Sequence, residues 1–296
     1  MESCDPRPLV AILGSGALAR FWAWALNGCP LWVVGQAAPP YHVHFQGHTD
    51  SIRPPFYHWQ QPIAKAPDVV VLVTKWRQLS RARDWILQWA PQSLVVSLMN
   101  GMGQEEALAP IPPDHMAIGV TTAAATREDA TAQDLAISVQ SLGQTFLPDR
   151  GESNLRVLQK ARPDLIQLVD ADEIASRRWQ KLIFNSVINP LSALADCANG
   201  ELPQHPLWAL SRPLLAESRR IAEAAGQCLP ADVESRLQHL VQETAGNVSS
   251  MLQDVRHGYS TEIGAINGYL VHRANQLGIP APLNEALTRL IEKLAP

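Results

Sequence analysis

The stretch LVAILGSGALARFWAWAL, residues 9–26, decides the fold of this chain. Its first five residues, Leu9 to Leu13, are all apolar, which is typical of a strand that is buried on both faces of a parallel sheet. The residues from Ala17 to Leu26 carry apolar side chains at helical spacing and predict an α-helix. Gly14 and Gly16 lie in the turn between them. The stretch therefore predicts a buried strand, a tight glycine turn and a helix, in that order.

The glycine turn has the spacing G-x-G-x-x-A, in the residues Gly14, Ser15, Gly16, Ala17, Leu18 and Ala19. Gly14 allows the tight turn, Gly16 lets the backbone approach a pyrophosphate, and Ala19 lets the helix pack closely on the sheet. The unpaired amide groups at the helix N-terminus would bind the phosphates. The alternative is an ordinary strand-end turn with two glycines. Because a strand precedes the turn and a helix follows it, we predict that these six residues bind a dinucleotide cofactor.

The end of the second predicted strand carries no acidic residue. A site for NAD usually has Asp or Glu about 20 residues after the glycine turn, at the end of that strand. Here residues 33–36 read Val-Val-Gly-Gln, and no acid occurs between Asp5 and Asp50. An acid would repel the 2′-phosphate of NADP, so its absence favours NADP. No arginine occurs there either.

The pattern of a strand followed by a helix continues through the first half of the chain. Further strands are predicted at 31–34, 69–73, 94–98 and 116–120, and a helix at 76–89. Apolar strands that alternate with helices predict an α/β fold with an N-terminal Rossmann-type doubly wound sheet.

Two regions of this half fit the alternation less well. Residues 37–67 hold six prolines and four histidines, and they predict connections with one or two edge strands around residues 43–46. The histidines lack the spacing of metal ligands, so no metal site is predicted. Two short extended segments between residues 137 and 147 are separated by Gly143. An antiparallel extension of the sheet is one arrangement that fits them.

The strand signal ends after Val169. Asp170 and Asp172 precede a long helical pattern, and acids favour a helix N-terminus. The rest reads as helix, with breaks near residues 203–206, 230 and 258. A length of 296 residues is enough for about two domains. We therefore predict a Rossmann-type domain over residues 1–170 and a C-terminal all-α domain over residues 171–296.

Composition and charge exclude several classes of protein. Lys+Arg 24 against Asp+Glu 28 leaves a net charge of −4, which speaks against a nucleic-acid surface. No apolar run reaches the ~18 residues of a membrane span, and the N-terminus lacks the apolar segment of a secretory signal. The four cysteines lie far apart, as free thiols in a reducing compartment do. We predict a cytoplasmic protein that binds neither membrane nor nucleic acid.

A stripe of polar side chains runs along the predicted long helix. Lys181, Asn185 and Asn189 are spaced by four residues and therefore share one helix face. An ammonium and two amides on one face suit a polar substrate, and the alternative is a solvated face. The neighbouring residues Leu182, Ile183, Phe184, Val187 and Ile188 are apolar, so the helix is predicted to be largely buried. A buried lysine is rare unless it has a partner or a function.

Six segments resemble the ketopantoate reductase (2-dehydropantoate 2-reductase) family, over about residues 10 to 279. The first three are GSGALA at 14–19, VTKWRQ at 73–78 and NGMG at 100–103. The fourth is WQKL at 179–182 with Asn185 and NPL at 189–191, and the fifth is NGEL at 199–202. The sixth is SSMLQDVR at 249–256 with TEI at 261–263 and ING at 266–268. The resemblance implies a Rossmann domain with a helical domain and a site in the cleft. It also implies reduction of 2-dehydropantoate to pantoate by NADPH, a step towards pantothenate and coenzyme A.

The resemblance also implies a role for particular residues. Lys181 would be the general acid, and Glu262 would bind the substrate hydroxyl and orient the lysine. Ser260 is predicted to cap a helix that restarts after Gly258, with Glu262 in its first turn. The substrate would be bound by residues Asn100, Asn185, Asn189, Asn199 and Ser250. The cofactor would be bound by the glycine turn, Lys75 and Asn100. The family often has an arginine after the second strand, where this chain has Gln36.

Two other functions remain open on the same scaffold. One is a reductase of a different 2-keto acid. The other is a non-catalytic NADP(H)-binding sensor, which has no need to keep the whole set of catalytic residues together. A homodimer is compatible with either.

Overall fold

A computed structural model describes residues 7–128 and 135–295. The chain divides into two compact units. The first unit takes in the described residues up to Met99 together with Gln104–Ile174, and the second takes in Asn100–Gly103 and the chain from Ala175 onwards. The division into domains at 1–170 and 171–296 stays a prediction.

The strands of the described chain are β1 Val10–Leu13, β2 Leu31–Gly35, β3 Tyr41–Phe45, β4 His48–Ile52, β5 Phe56–His58, β6 Val69–Leu72, β7 Leu94–Ser97, β8 Met116–Ile118, β9 Val120–Thr121, β10 Ala124–Arg127, β11 Ala136–Ser141, β12 Thr145–Pro148 and β13 Ile166–Val169. The helices are α1 Ala17–Ala25, α2 Leu79–Trp89, α3 Gln104–Ala107, α4 Ser153–Ala161, α5 Ala171–Ala195, α6 Ser211–Ala224, α7 Val233–Glu243, α8 Ser250–Arg256, α9 Asn267–Leu277 and α10 Pro282–Leu294. Short 3₁₀ turns occur at Trp76–Gln78, Pro113–His115, Asn199–Gln204, Pro206–Leu210 and Ile263–Ala265.

The first unit is built on a sheet of six parallel strands. Their order is β5-β2-β1-β6-β7-β8. Strands β2 and β5 are added on one side of β1, and β6, β7 and β8 are added on the other side, so the strand order reverses between β1 and β6. Alternate residues of β1 belong to different apolar clusters, Val10 and Ile12 to the one that contains α1 and Ala11 and Leu13 to the one that contains α2. The sheet is therefore covered on both faces, and the predicted Rossmann-type doubly wound sheet is confirmed.

The prediction of edge strands within residues 37–67 is wrong in part. This region forms β3, β4 and β5. Strand β3 lies inside a four-stranded sheet of order β10-β11-β3-β4, with Tyr41 and Val43 fully buried. The reason is a parallel pairing in which Ile137 of β11 lies opposite Val43. Such a pairing between distant segments leaves no local trace in the sequence.

The segments on either side of Gly143 do not extend the main sheet. Strand β11 belongs to the four-stranded sheet, whereas β12 belongs to a three-stranded sheet of order β13-β12-β9. Gly143 has φ +57° and lies so close to the backbone of Thr122 and Ala123 that a Cβ would overlap them. This left-handed turn separates the two strands into different sheets. The predicted antiparallel extension is therefore wrong.

The second unit consists of helices and 3₁₀ turns, with α5 from Ala175 onwards, α6, α7, α8, α9 and α10 around an apolar core. The three predicted helix breaks occur. Residues 203–206 lie at the junction of two 3₁₀ turns, residue 230 lies between the end of α6 at Ala224 and the start of α7 at Val233, and Gly258 has φ +66°. The buried carboxylate of Glu217 accepts hydrogen bonds from the backbone N–H groups of Leu283 and Asn284, at 3.1 and 2.8 Å. It therefore supplies negative charge to the N-terminus of α10.

None of the helices within residues 7–128 and 135–295 combines the length and apolar character that a membrane span requires.

Candidate active site

The glycine turn between β1 and α1 has the shape that a pyrophosphate needs. Gly14 has φ +133°, and a Cβ there would lie 2.9 Å from the carbonyl oxygen of Val73. Gly16 caps the N-terminus of α1, and a Cβ there would meet no atom within 4 Å. Packing excludes a side chain at Gly14, and the lack of one at Gly16 leaves open space beside unpaired amide groups. The turn therefore fits a dinucleotide cofactor.

The end of β2 lies against this turn. The Oγ of Ser15 accepts a hydrogen bond from the backbone N–H of Gln36 at 3.3 Å, and a Cβ on Gly35 would lie 2.9 Å from the Cβ of Ser15. Gln36 therefore occupies the place beside the glycine turn where the sequence has neither an acid nor an arginine.

Lys75 lies at the same edge of the sheet. It follows β6, which is the neighbour of β1, and its carbonyl oxygen accepts a hydrogen bond from the N–H of Gln78 at 2.8 Å. The carboxyl ends of β1 and β6 flank the point where strand order reverses, which is where doubly wound sheets bind ligands. The structure therefore brings Lys75 and the glycine turn to one edge of the sheet.

Arg20, in α1, is a charged residue that was not among the predicted site residues. Its side chain is 2% exposed, and its Nε donates to the carbonyl oxygen of Ser15 at 3.2 Å. Burial and the nearby charge of Arg127 lower the pKa of Arg20 to about 10. The one sign of it in the sequence is a lone cation in an otherwise apolar helix, ALARFWAWA. It adds positive charge close to the turn.

In the second unit, three predicted site residues form one hydrogen-bonded chain. The Nζ of Lys181, in α5, donates to the Oδ1 of Asn100 at 2.7 Å. The Nδ2 of Asn100 donates to the Oε2 of Glu262 at 3.4 Å. The amide of Asn100 thus bridges an ammonium and a carboxylate, with its oxygen towards the cation and its NH₂ towards the anion. This is the one amide orientation that satisfies both partners.

The turn Asn100–Gly103 is held against the segment that carries Glu262. The N–H of Met102 donates to the carbonyl oxygen of Ala265 at 2.9 Å. Gly101 has φ +82°, and a Cβ there would lie 2.6 Å from that same oxygen. Because Ala265 is three residues after Glu262, this close backbone approach fixes where Asn100 meets the carboxylate.

The predicted local structure around Glu262 is wrong. No α-helix restarts at Ser260, since Glu262 precedes the 3₁₀ turn Ile263–Ala265 and α9 begins only at Asn267. The N–H of Ile263 donates to the Oγ1 of Thr261 at 3.4 Å, and Ile266 has a non-helical ψ of −89°. These two features prevent a continuous helix. Glu262 is nevertheless 8% exposed, so its carboxylate is well shielded from solvent.

The environment of Lys181 changes its acidity. Burial lowers the pKa of Lys181 to about 8, and the charge of Glu262 opposes this shift. The desolvation therefore has the larger effect. An ammonium with this pKa is protonated at neutral pH and releases its proton more readily than an ordinary lysine does.

Three more predicted residues have side chains with open hydrogen-bonding capacity. Asn185 and Asn189 lie in α5, and Ser250 is the first residue of α8, after the cap that Ser249 supplies. Asn189 is buried, and the other two are half-buried. Within the described residues, none of the three side chains makes a hydrogen bond. They remain available to a ligand.

Asn199 is held differently. Its Nδ2 donates to the Oγ1 of Thr244 at 3.0 Å, and its backbone N–H donates to the carbonyl oxygen of Asn247 at 3.0 Å. Its Oδ1 is buried and has no partner among the described residues. Asn199 is therefore tied to the end of α7 and makes no hydrogen bond to Lys181, Asn100 or Glu262.

No group of three or more His, Cys, Asp or Glu within the described parts of the chain could hold a metal ion.

A doubly wound sheet with a glycine turn of this shape, and a lysine of lowered pKa beside an amide and a carboxylate, are typical of dinucleotide-dependent oxidoreductases. Comparison with known proteins narrows this class. The family model described as ketopantoate reductase PanE/ApbA matches residues 10–150, and the model of that family's C-terminal part matches residues 173–295. The chain belongs to the ketopantoate reductase family, whose members are oxidoreductases that use a nicotinamide cofactor.

Individual relatives agree with this assignment. The chain is 33% identical over 291 residues to the 2-dehydropantoate 2-reductases of Shigella flexneri and Escherichia coli O157:H7, covering 96% of this chain and 94% of each relative. A PanE/ApbA family ketopantoate reductase structure from Ralstonia eutropha JMP134 has a TM-score of 0.84 at 24% identity, over 97% of this chain and 98% of the other. D-mandelate dehydrogenase, solved with NADH and anilino(oxo)acetate, has the same TM-score at 20% identity and the same two coverages. The two structures share the fold with this chain.

Proposed function

We propose that this protein reduces 2-dehydropantoate to pantoate with NADPH, and that Lys181 is the general acid. The observation that carries the proposal is the chain from Lys181 through Asn100 to Glu262, at 2.7 and 3.4 Å. Reduction of a keto group needs a proton donor at the carbonyl oxygen and a partner for the neighbouring hydroxyl. This cluster supplies both chemical groups side by side.

When bound, a nicotinamide cofactor would supply the hydride for the carbonyl carbon. Lys181 acts on the carbonyl oxygen, which becomes negative as the hydride arrives. Its Nζ gives that oxygen a proton, and its positive charge stabilises the developing alkoxide before the transfer is complete. Since burial lowers the pKa of Lys181 to about 8, the transfer is easier than from an ordinary lysine.

Asn100 and Glu262 prepare the lysine for this step. The Oδ1 of Asn100 holds the ammonium, and the carboxylate keeps it protonated at neutral pH. Glu262 also accepts a hydrogen bond from the substrate hydroxyl. The free side chains of Asn185, Asn189 and Ser250 would bind the substrate's polar groups, and the orphaned Oδ1 of Asn199 offers one more acceptor.

The phosphates of the cofactor would be bound by residues of the first unit. Residues Gly14, Ser15, Gly16, Ala17, Leu18 and Ala19 would bind the pyrophosphate, Lys75 the phosphate at the adenosine end, and Asn100 the nicotinamide end. We propose NADPH because no acid stands at the end of β2 to repel a 2′-phosphate, and because Lys75 and Arg20 supply positive charge. Gln36 can donate hydrogen bonds to that phosphate but cannot neutralise it.

The test is steady-state oxidation of NADPH with 2-dehydropantoate, then with a panel of branched 2-keto acids, each repeated with NADH. Rapid turnover with 2-dehydropantoate and NADPH supports the proposal. Turnover with another keto acid alone would move the assignment to a different 2-keto acid reductase. Cofactor binding without turnover of any pair would favour the non-catalytic sensor. Preference for NADH would show that Gln36 does not serve a 2′-phosphate.

The pH dependence of kcat follows from the pKa of Lys181. A general acid acts only when protonated, so kcat is expected to be level at neutral pH and to fall as pH rises through about 8. Glu262→Gln removes the charge that raises the pKa of Lys181, so the midpoint should move to lower pH in that variant. The measurement is kcat at saturating substrates from about pH 6 to 10. A kcat that stays constant up to about pH 10 would contradict the role of Lys181 as the general acid.

Gly16→Val tests the glycine turn. The new side chain would occupy the open space proposed for the pyrophosphate, so the Kd of NADPH and of NADH should both rise at least about tenfold. A tenfold rise corresponds to a loss of about 1.4 kcal/mol of binding free energy. The Tm should change little, because a Cβ at Gly16 meets no atom within 4 Å. Isothermal titration calorimetry measures both Kd values. Unchanged binding of both cofactors would show that the turn does not hold them.

We further propose that the protein acts in the cytoplasm, on the route to pantothenate and coenzyme A, as a homodimer. Cys29, Cys197 and Cys228 are free, as expected for a reducing compartment. A structurally similar ketopantoate reductase from Staphylococcus aureus is described as dimeric. Light scattering of the purified protein measures its oligomeric state directly.

A further inference from the structure

Helix α5, which carries Lys181, has a break in its backbone hydrogen bonding. Pro190 lies inside the helix and has no N–H. In an α-helix each N–H donates to the carbonyl oxygen four residues earlier. The carbonyl oxygen of Ser186 therefore lacks its usual donor, in a part of the helix where Ser186 is fully buried. A buried carbonyl needs a donor from elsewhere.

Asn267 supplies that donor from a different helix. Its Nδ2 donates to the carbonyl oxygen of Ser186 at 2.9 Å and to the Oδ1 of Asn284 at 3.0 Å. Its own Oδ1 has no partner among the described residues, although the side chain is 0% exposed. The amide is thus oriented so that its nitrogen serves two acceptors while its oxygen stays unpaired. Within the described residues, the side chain of Asn267 makes hydrogen bonds through its Nδ2 alone.

Asn267 occupies a particular place relative to the catalytic cluster. It is the first residue of α9, and it follows directly on the 3₁₀ turn that begins after Glu262. Its acceptor, Ser186, lies in α5 between Lys181 and Asn189. One amide therefore connects the helix that presents the lysine to the segment that presents the carboxylate.

Asn284, the second acceptor of Asn267, is itself held by hydrogen bonds to α6. The Nδ2 of Asn284, in α10, donates to the Oε1 of Glu217 at 2.9 Å and to the Oγ of Ser218 at 3.2 Å, both in α6. The Oγ of Ser218 lies 3.1 Å from that of Ser186. All these side chains are buried. A buried network in which most groups are satisfied holds its members rigidly, so Asn267 has little freedom to shift.

We propose that Asn267 is a positioning residue, whose amide replaces the hydrogen bond lost at Pro190 and thereby sets the distance between Lys181 and Glu262. This inference rests on the proposed function of that pair. Asn267 does not touch the reacting atoms. It acts by holding α5 and the segment around Glu262 in register, so that the amide of Asn100 can bridge them.

A double-variant experiment separates positioning from simple support of the helix. Asn267→Ala leaves the Ser186 carbonyl without a donor, so Tm should fall, and kcat should fall about 10- to 100-fold as Glu262 and Lys181 lose their spacing. Pro190→Ala restores an N–H within α5 and serves as the reference. In the variant with both changes, the N–H gained at position 190 donates to the carbonyl oxygen of Ser186, but the hydrogen bond from α9 to α5 is still missing. Tm should therefore recover in part, since the Oδ1 of Asn284 still lacks its donor, while kcat stays low.

A matched control is Ile291→Val, a fully buried change in α10 that removes one methylene group and no hydrogen bond. It should lower Tm by a few degrees and leave kcat unchanged. Recovery of kcat together with Tm in the double variant would overturn the proposal, because Asn267 would then only repair the helix. Wild-type kcat in Asn267→Ala would overturn it as well.

A second measurement does not depend on the substrate. Competitive acetylation of Lys181 over a range of pH, read by mass spectrometry, gives its pKa in each variant. In Asn267→Ala this pKa should fall by about 0.5 to 1 unit, because the attraction of Glu262 is weakened, and in Ile291→Val it should not change. An unchanged pKa in Asn267→Ala would overturn the positioning role. If the wild type fails to reduce 2-dehydropantoate, the proposed function fails while this test remains valid.

Discussion

Lys181→Met is expected to lower kcat by about 10²- to 10⁴-fold, the range for loss of a well-placed general acid. Methionine keeps an unbranched apolar chain of similar length in α5 but has no proton to give and no charge to stabilise an alkoxide. The Kd of NADPH should hardly change, because the glycine turn and Lys75 belong to the first unit. Single-turnover oxidation of NADPH and fluorescence titration measure the two quantities.

The control for this variant is Lys293→Met, an exposed lysine near the end of α10. It removes the same charge from the same unit without touching the cluster, and kcat should stay at the wild-type value. Full activity of Lys181→Met would contradict the general-acid role. Loss of NADPH binding along with kcat would indicate a disturbed fold instead.

Gly101→Ala is expected to be the second severe change, although it adds a single methyl group. At φ +82° an alanine is strained, and its Cβ would lie 2.6 Å from the carbonyl oxygen of Ala265, which is backbone and cannot rotate away. The turn must move, and the hydrogen bond from Met102 to Ala265 is lost with it. The free energy of unfolding should fall by about 2–3 kcal/mol.

The same shift carries Asn100 away from Lys181 and Glu262. Because displacement of about 1 Å in a catalytic cluster can cost about 100-fold, kcat should fall by that order in the folded protein. Urea unfolding and steady-state kinetics measure the two effects. Gly246→Ala is the control, since a Cβ there meets no atom within 4 Å and both quantities should stay near wild type. A stable Gly101→Ala variant with normal kcat would show that Asn100 need not bridge the pair.

The sequence predicted those parts of the fold that rest on local periodicity. The apolar run of β1, the glycine turn and α1 are specified by residues close together in the chain, and α5 follows from a long helical pattern. The stripe of Lys181, Asn185 and Asn189 followed in the same way, because residues four apart share a helix face. The order of strands in the minor sheets could not be predicted, since β3 pairs with β11 across about 90 residues of chain.

The backbone conformation around Glu262 could not be predicted from the sequence pattern either. The apolar residues after Gly258 have helical spacing, yet the backbone forms one 3₁₀ turn and an irregular residue before α9. That conformation depends on the contact of Ala265 with the turn at Gly101. A contact of this kind is specified by packing and carries no periodic signal. The resemblance to a family pointed to Glu262, but nothing local to residues 258–267 did.

The chain's own residues, read in order, determined its class. A buried strand, a glycine turn and a helix N-terminus are enough to predict a phosphate-binding site, because the unpaired amides and the absence of side chains are local properties. The tertiary structure alone decided which of the predicted site residues meet. Asn100 bonds to Lys181 across 81 residues and to Glu262 across 162. Burial lowers the pKa of Lys181 to about 8 against the opposing charge of Glu262, and both effects depend on distances that the order of residues does not contain.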